Sequence, residues 1–267
     1  MTNKNYIQIN RKAWNSLVPK HLESDFYEME GFLKGKNTLK EIEMPLLGDL
    51  KDKKVLHLQC HFGQDSLSLS RMGAQVTGVD FSDKAIEAAV DLNDQLDLNA
   101  RFIFSDIYKL PDHLDEKFDI VFTSYGTVGW LPDIRRWAAI VEHYLKPGGR
   151  FVFAEFHPVV WMFDDKFREI KYRYFNDGII EETETGSYAD QDSGEEKKYI
   201  SWNHSLSEVI NALLERGLQL DCFREYDFSP HNCFQHTQEV GESRYRIRHL
   251  DDKIPMTYAL RYIKPNP

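Results

Sequence analysis

Five apolar runs recur along the first 160 residues, and each pair is separated by a segment long enough for a crossover. They are VLHLQC (55–60), AQVTGVD (74–80), RFIFSD (101–106), FDIVFTSY (118–125) and RFVFAEF (150–156). Between them lie helix-like stretches. DSLSLSRM is closed by Gly73, a good C-cap residue. Ser82 can cap a helix that carries Ile86, Ala89, Val90 and Asn93 at helical spacing, and Pro132 opens a stretch with Ile134, Trp137, Ala138, Val141, Tyr144 and Leu145 on one side. Strands that alternate with crossovers pair in parallel, and the crossovers are right-handed. FDIVFTSY is apolar almost throughout, as a strand covered on both faces must be. The pattern dictates a doubly wound α/β sheet.

The rest of the chain departs from that rhythm. Residues 1–50 are helical in character and rich in aromatic residues, among them Tyr6, Trp14, Phe26, Tyr27 and Phe32. After Phe156, KYRYF and IIEETET flank Asn176-Asp177-Gly178, a strong hairpin-turn signal. KKYISW follows the polar stretch ADQDSGEE, so an antiparallel insert is expected over 157–203. Ser205 and Glu208 read as a capping box for SLSEVINALLERG, with Gly217 as its stop. LQLDCFREYDF and PMTYALRYI read as two final strands joined by a long loop, giving seven strands in all. The expected organisation is an N-terminal helical lid over 1–50 and one domain over 51–267 that carries the insert.

Composition narrows the function. The 267 residues hold 33 basic and 43 acidic side chains, a net charge of −10, which disfavours a nucleic-acid partner. Arg244, Arg246 and Arg248 form the one local basic run and read as a solvated strand or as ion-pair partners. Cys60, Cys222 and Cys233 are too few for a disulfide framework, and His57, Cys60 and His61 fall short of a structural zinc set, so no metal is expected. The N-terminus lacks a signal-peptide core and no run approaches the ~18 apolar residues of a membrane span. A cytoplasmic protein without a membrane partner is expected, as a monomer or a homodimer.

The strand order resembles the class I S-adenosylmethionine-dependent methyltransferase fold, a Rossmann-like seven-stranded sheet, over roughly 50–265. VTGVDFSDKAIEAA, FSDIYKLP, FDIVFTSYGTVGWLPD and LKPGGRFVF stand where that family has its second-, third-, fourth- and fifth-strand marks. The first turn departs from the common D-x-G-x-G-x-G pattern: His57 stands at the acidic position, Gln59 and His61 at the first two glycines, and Gly63 at the third. It looks like a small-molecule subgroup whose turn reads H-L-Q-C-H-x-G-x-D. The resemblance implies S-adenosylmethionine as cofactor and S-adenosylhomocysteine as product. Gln59, His61 and Gly63 would pass beside the amino-acid part and ribose, and Asp80 would accept from both ribose hydroxyls. Ser105, Asp106 and the Ile107 N–H would meet the adenine. Phe81 would flank adenine or ribose, or simply pack. Ser124 and Tyr125 would line the methionine portion, and Trp14, with Asn10, Phe26 and Tyr27, would close over the pocket.

Methyl transfer from a sulfonium needs alignment of the nucleophile, and a base only for a hydroxyl or protonated amine. His157, at the end of the fifth strand, is the candidate base or substrate contact, with a structural His-Pro turn as the other reading. His231 and His236 are weaker candidates, while Trp130 and Trp202 are pocket wall or core. The acceptor is expected to be a small molecule. Two other functions stay open: a nicotinamide-dependent oxidoreductase, which would want a fuller glycine turn and a Tyr-x-x-x-Lys site absent here, and a non-catalytic S-adenosylmethionine-binding sensor.

Overall fold

The computed structural model describes residues 5–189 and 196–267. In chain order the elements are α1 (Tyr6–Glu23), α2 (Met29–Leu33), α3 (Met44–Leu47), β1 (Lys54–Leu58), α4 (Gln64–Arg71), β2 (Gln75–Asp80), α5 (Asp83–Gln95), β3 (Arg101–Phe104), β4 (Phe118–Ser124), α6 (Ile134–Tyr144) and β5 (Leu145–Phe156). Then come β6 (Ile180–Thr185), β7 (Glu196–Ser201), α7 (Leu206–Leu214), β8 (Gln219–Tyr226), β9 (Thr237–Gly241), β10 (Arg244–Ile247) and β11 (Thr257–Ile263). Seven of the strands form one sheet in the order β3-β2-β1-β4-β5-β11-β8. β1 to β5 run parallel, and β11 lies antiparallel between β5 and β8. The order reverses between β1 and β4, which opens a crevice beyond their carboxyl ends.

Alternate side chains on the central strands enter two separate apolar layers. Leu56, Leu58, Val121, Phe151 and Phe153 pack with Trp137, Val141 and Tyr144 of α6 and with Val209 and Leu213 of α7. Val55, Ile120, Phe122, Val152 and Ala154 face the other way, onto Leu46 and Leu47 of α3 and Leu69 of α4. Near-total burial on both faces explains why these strands read as continuous apolar runs. Val90, expected on the buried face of α5, is 40% exposed; Leu92, three residues after Ala89 and so on the face of Ile86 and Ala89, is buried, as is Asn93. Leu145 opens β5 rather than continuing α6.

The caps behave as their chemistry requires. Ser82 Oγ accepts from the Ala85 N–H at 3.0 Å, and Asp133 caps α6 by accepting from the Arg136 N–H at 2.9 Å. Ser205 accepts from the Glu208 N–H at 3.2 Å, but the Glu208 carboxylate does not close the box: it pairs with His204 Nδ1 at 3.1 Å. Among the described residues, no helix is long and apolar enough to cross a membrane.

The insert differs from the expectation. Asn176-Asp177-Gly178 makes a local turn in which the Gly178 N–H donates to Asn176 Oδ1 at 3.0 Å, and KYRYF is not a strand. The hairpin is β6 with β7, registered Ile180 to Ser201. Most of the ADQDSGEE stretch, 190–195, lies outside the described residues. The long loop before β11 contains a second hairpin, β9–β10. Its arginines are ion-pair partners: Arg244 forks onto Glu41 with two contacts of 2.6 Å, and Arg246 pairs with Asp227 and Asp251.

α1 crosses the carboxyl ends of the sheet and is fastened on both sides. Arg11 Nε donates to the Phe81 carbonyl at 2.9 Å, and Asn15 Nδ2 donates to Asp83 at 2.8 Å. Asn10 is buried and pairs with both backbone groups of Ile200 in β7, donating at 2.7 Å and accepting at 2.8 Å.

Gly63 sits at φ +81, where an added Cβ would lie 2.8 Å from the Phe102 ring and 3.1 Å from Ala89 Cβ. Backbone strain and overpacking then act together, so Gly63→Ala is expected to lower stability by about 1–3 kcal/mol. The urea midpoint checks this; an unchanged midpoint would mean that the ring yields freely.

Candidate active site

A cleft opens at the strand-order reversal. It is lined by Gln59 from the turn after β1, by Val79, Asp80 and Phe81 at the end of β2, by Ser105, Asp106 and Ile107 after β3, and by Trp130 and Leu131 after β4. Tyr6, Ile7 and Asn10 of α1 form its roof. Eight residues expected at the site, Gln59, Asp80, Phe81, Ser105, Asp106, Ile107, Trp130 and Asn10, are therefore brought together. Tyr6 and Ile7 were not singled out as site residues, because apolar helix positions carry no chemical signature.

The turn after β1 keeps glycine geometry without glycine. Gln59 has φ +56 and His61 φ +51, at the two positions where glycines are usual. Left-handed backbone costs roughly 1–2 kcal/mol for a residue with a Cβ. Asp80 offsets that cost: its Oδ2 accepts from the His61 N–H at 2.9 Å and its Oδ1 from the Ser82 N–H at 2.8 Å. Burial nonetheless raises its pKa to about 6, against the pull of these N–H donors. Each oxygen retains a lone pair for a further donor. Asp106 uses one oxygen to accept from the Tyr108 N–H at 3.0 Å. Ile107 opens a 3₁₀ turn, where the first N–H groups have no acceptor within the turn itself.

The loop after β4 is held by a residue the sequence reading passed over. Glu155 of β5 is buried, and its two oxygens accept from the N–H groups of Gly126, Thr127, Val128 and Phe156 and from the Thr127 hydroxyl. Tyr125 and Gly126 take φ +41 and +72, which turns three successive N–H groups onto that carboxylate. The anchored loop presents the Thr127 carbonyl to Gln59 Nε2 at 2.8 Å and the Gly126 carbonyl to Trp130 Nε1 at 2.7 Å. An acid within the apolar run RFVFAEF was the available signal, since a buried carboxylate needs compensation.

Ser124 and Tyr125 point elsewhere. Ser124 Oγ donates to Asp65 at 3.2 Å, and the Tyr125 hydroxyl donates to Glu43 Oε2 at 2.7 Å. Glu43 is fully buried, and burial with the nearby Asp65 charge raises its pKa to about 7. His57 shares a 2.8 Å hydrogen bond with Ser66, and burial lowers its pKa to about 4.

His157, the candidate base or substrate contact, occupies the His-Pro turn that was its other reading. The Val159 N–H donates to its Nδ1 at 3.2 Å, so Nε2 carries the proton and faces Glu225 at 3.0 Å. The ring is used up in a structural turn and leaves no lone pair for a substrate. Trp202 also lies outside the cleft lining: its ring is buried against Tyr6, centroids 5.3 Å apart, and its backbone N–H donates to the Gly129 carbonyl at 2.8 Å.

The ring of His61 turns away from the cleft into a belt of aromatic residues. Trp14 lies edge-on to both His61 (5.5 Å) and Trp130 (5.6 Å). Tyr27 stacks on His61 at 5.7 Å and 4°, and Tyr27 and Tyr188 share a 2.6 Å hydroxyl contact. Phe26, His231 and Tyr125 continue the belt by ring contacts of 6.0 and 4.9 Å. Four buried polar atoms here have no partner: Trp14 Nε1, Gln59 Oε1 and both ring nitrogens of His61.

Comparison with known proteins agrees with this arrangement. Residues 55–149 match the family model described as a methyltransferase domain. A ubiquinone biosynthesis O-methyltransferase from Coxiella burnetii is 35% identical over 116 residues, 43% of this chain and 48% of that protein. The chain thus spans about half the length of such relatives. An uncharacterised protein from Haemophilus influenzae is 28% identical over 229 residues, 79% of this chain and 87% of its own. Among solved structures, a geranyl diphosphate C-methyltransferase from Streptomyces coelicolor, in complex with S-adenosyl-L-homocysteine, superposes with a TM-score of 0.62 at 13% identity, covering 99% of each chain. The fold is the Rossmann-like one of S-adenosylmethionine-dependent methyltransferases.

Glu43 supplies a test of the buried acids. Its pKa, raised from 4.5 to about 7, makes the folded state hold the proton more tightly than the unfolded chain. Stability therefore falls as pH rises from about 4.5 to 7, by on the order of 3 kcal/mol for this group. Glu43→Gln should flatten the difference between urea unfolding at pH 5 and pH 8. An unaltered pH slope would place the proton elsewhere.

Proposed function

We propose that the protein is an S-adenosylmethionine-dependent methyltransferase that acts on a small-molecule acceptor and releases S-adenosylhomocysteine. The observation that carries this is the pair of carboxylates, Asp80 and Asp106, set at the ends of neighbouring strands and facing one cleft. In a nucleoside site they serve opposite ends of the ligand: Asp80 accepts ribose hydroxyls, while Asp106 and the Ile107 N–H meet the adenine edge. A nicotinamide reading gives Asp106 no role.

The unused polar atoms fit the remainder of that cofactor. Trp14 Nε1 is a donor and Gln59 Oε1 an acceptor, both buried and without partner. A carboxylate and an ammonium, the two charges of an amino-acid head, satisfy them. When bound, the cofactor supplies a methyl carbon on a positively charged sulfur, open to direct in-line displacement. The chain's part is positioning: oriented groups reach effective molarities of roughly 10⁵–10⁸ M. Asp80 fixes the turn, Glu155 fixes the loop that bears Trp130, and α1 roofs the cleft and excludes water. In this reading residues 1–50 act as a lid and 157–203 as the opposing cap.

Calorimetry with S-adenosylhomocysteine tests the site. Asp80→Ala is expected to weaken binding at least tenfold, by roughly 1.4 kcal/mol or more. Wild-type affinity should also fall between pH 7 and pH 5, as the Asp80 carboxylate protonates near pH 6 and loses acceptor strength. Affinity indifferent to both changes would remove Asp80 from the ribose role.

A further inference from the structure

We propose that Glu155 is a positioning residue for the amino-acid head of the cofactor: through the loop after β4 it holds Gln59 so that Oε1 receives the ammonium. The inference rests on the methyltransferase reading and adds to it a residue, outside the cleft lining, that decides how the head is recognised.

In a trans peptide the N–H and the C=O point in opposite directions. A carboxylate that captures the N–H therefore sends the carbonyl to the far side. Glu155 does this to two successive peptide groups, both trans. The Thr127 N–H donates to its Oε2 at 2.7 Å, and the carbonyl of the same peptide group, that of Gly126, accepts from Trp130 Nε1 at 2.7 Å. The Val128 N–H donates to Oε2 at 3.2 Å, and the carbonyl of that group, that of Thr127, accepts from Gln59 Nε2 at 2.8 Å. Trp130 and Gln59 both line the cleft, and Glu155 does not. One buried acid thus orients two cleft side chains through the backbone.

Charge reinforces the chain. Four N–H groups and the Thr127 hydroxyl converge on Glu155 as donors. A protonated acid would set a further hydrogen among them, so the ionised form is the one that fits. Hydrogen bonds in series polarise one another. The negative charge therefore strengthens the Thr127 carbonyl as an acceptor and, beyond it, Gln59 Oε1.

The same chain fixes which way the amide faces. A carbonyl only accepts, so Nε2 takes Thr127 and Oε1 is the free end. Oε1 is buried without a partner. It requires a donor, and a cationic one serves it best, since charge-assisted hydrogen bonds are the stronger kind. In the cofactor the α-ammonium is the cation that donates. The sulfonium carries no N–H or O–H, and the nucleoside is taken by Asp80 and Asp106. Gln59 keeps φ +56, a backbone that disfavours a Cβ. Glycine would sit there without strain but would bring no amide.

Calorimetry with S-adenosylhomocysteine and 5′-methylthioadenosine separates the head from the nucleoside, because the second ligand keeps adenosine and thioether and lacks the amino acid. Wild type should prefer the first. Glu155→Gln sets an NH₂ group against the loop's donors. It should weaken S-adenosylhomocysteine about tenfold or more and leave 5′-methylthioadenosine within about threefold. Gln59→Gly, which suits the left-handed backbone, should show the same selective loss. The double variant should lose no more than either single one, because members of one network are not additive. Should Glu155→Gln fail to fold, Thr127→Val, which removes one donor from the carboxylate at nearly constant shape, must shift the same ratio by about twofold or more. Equal weakening of both ligands in Glu155→Gln reduces the acid to a purely structural role and overturns the proposal. So does an unchanged ratio in Gln59→Gly, an additive loss in the double variant, or a wild type that holds both ligands equally well. A wild type that binds neither ligand defeats the methyltransferase reading instead.

Discussion

The site depends on one buried carboxylate that joins three pieces of backbone. Asp80 ends β2, accepts from the turn after β1 through His61, and accepts from the start of α5 through Ser82. The turn it stabilises would otherwise be poor: Gln59 and His61 both sit in left-handed backbone that glycine adopts without strain. Charge-assisted hydrogen bonds are stronger than neutral ones, and two of them at the end of a central strand hold the strained turn in place. The same acid is then left with lone pairs directed at the cleft. Structure and binding are served by different faces of one side chain.

Two other acids repeat the device. Glu155 gathers four backbone N–H groups and one hydroxyl, and so shapes the loop from Tyr125 to Trp130. Glu43 receives the Tyr125 hydroxyl and the Lys40 N–H. All three have pKa values raised by burial. The rim of the sheet is therefore organised by carboxylates that fold the chain at some cost in stability. Strained backbone at Gln59, His61 and Tyr125 collects at the same rim, where function has most use for fixed geometry.

Much of this was legible in the sequence because periodicity is local. The parallel strands, the Ser82 cap and the acids at the ends of β2 and β3 all follow from residues within a few positions of one another. What failed depended on distant partners. Asn176-Asp177-Gly178 has the composition of a hairpin turn, yet β6 pairs with β7, and a short Asx turn satisfies Asn176 alone. The β9–β10 hairpin was hidden because its strands are short and half exposed. His157 looked catalytic by position, and only the placement of Val159 and Glu225 shows its ring to be occupied. Glu155, two residues earlier, gave a weaker signal and has the larger structural role. For the cleft, the sequence indicated the floor and an N-terminal cover that includes Asn10, but not Tyr6 and Ile7, since nothing in the spelling of α1 says which of its side chains will meet the strand ends.

The grip of Asn10 on Ile200 carries a consequence for traffic through the molecule. One amide meets both polar groups of a single residue in β7, and Asn10 itself roofs the cleft. The helix cannot lift without unzipping that double contact, and the β6–β7 hairpin cannot swing out without it either. In the proposed reading, where α1 is the lid and the β6–β7 hairpin belongs to the cap, the two would have to open together, because both are held by the same pair of hydrogen bonds.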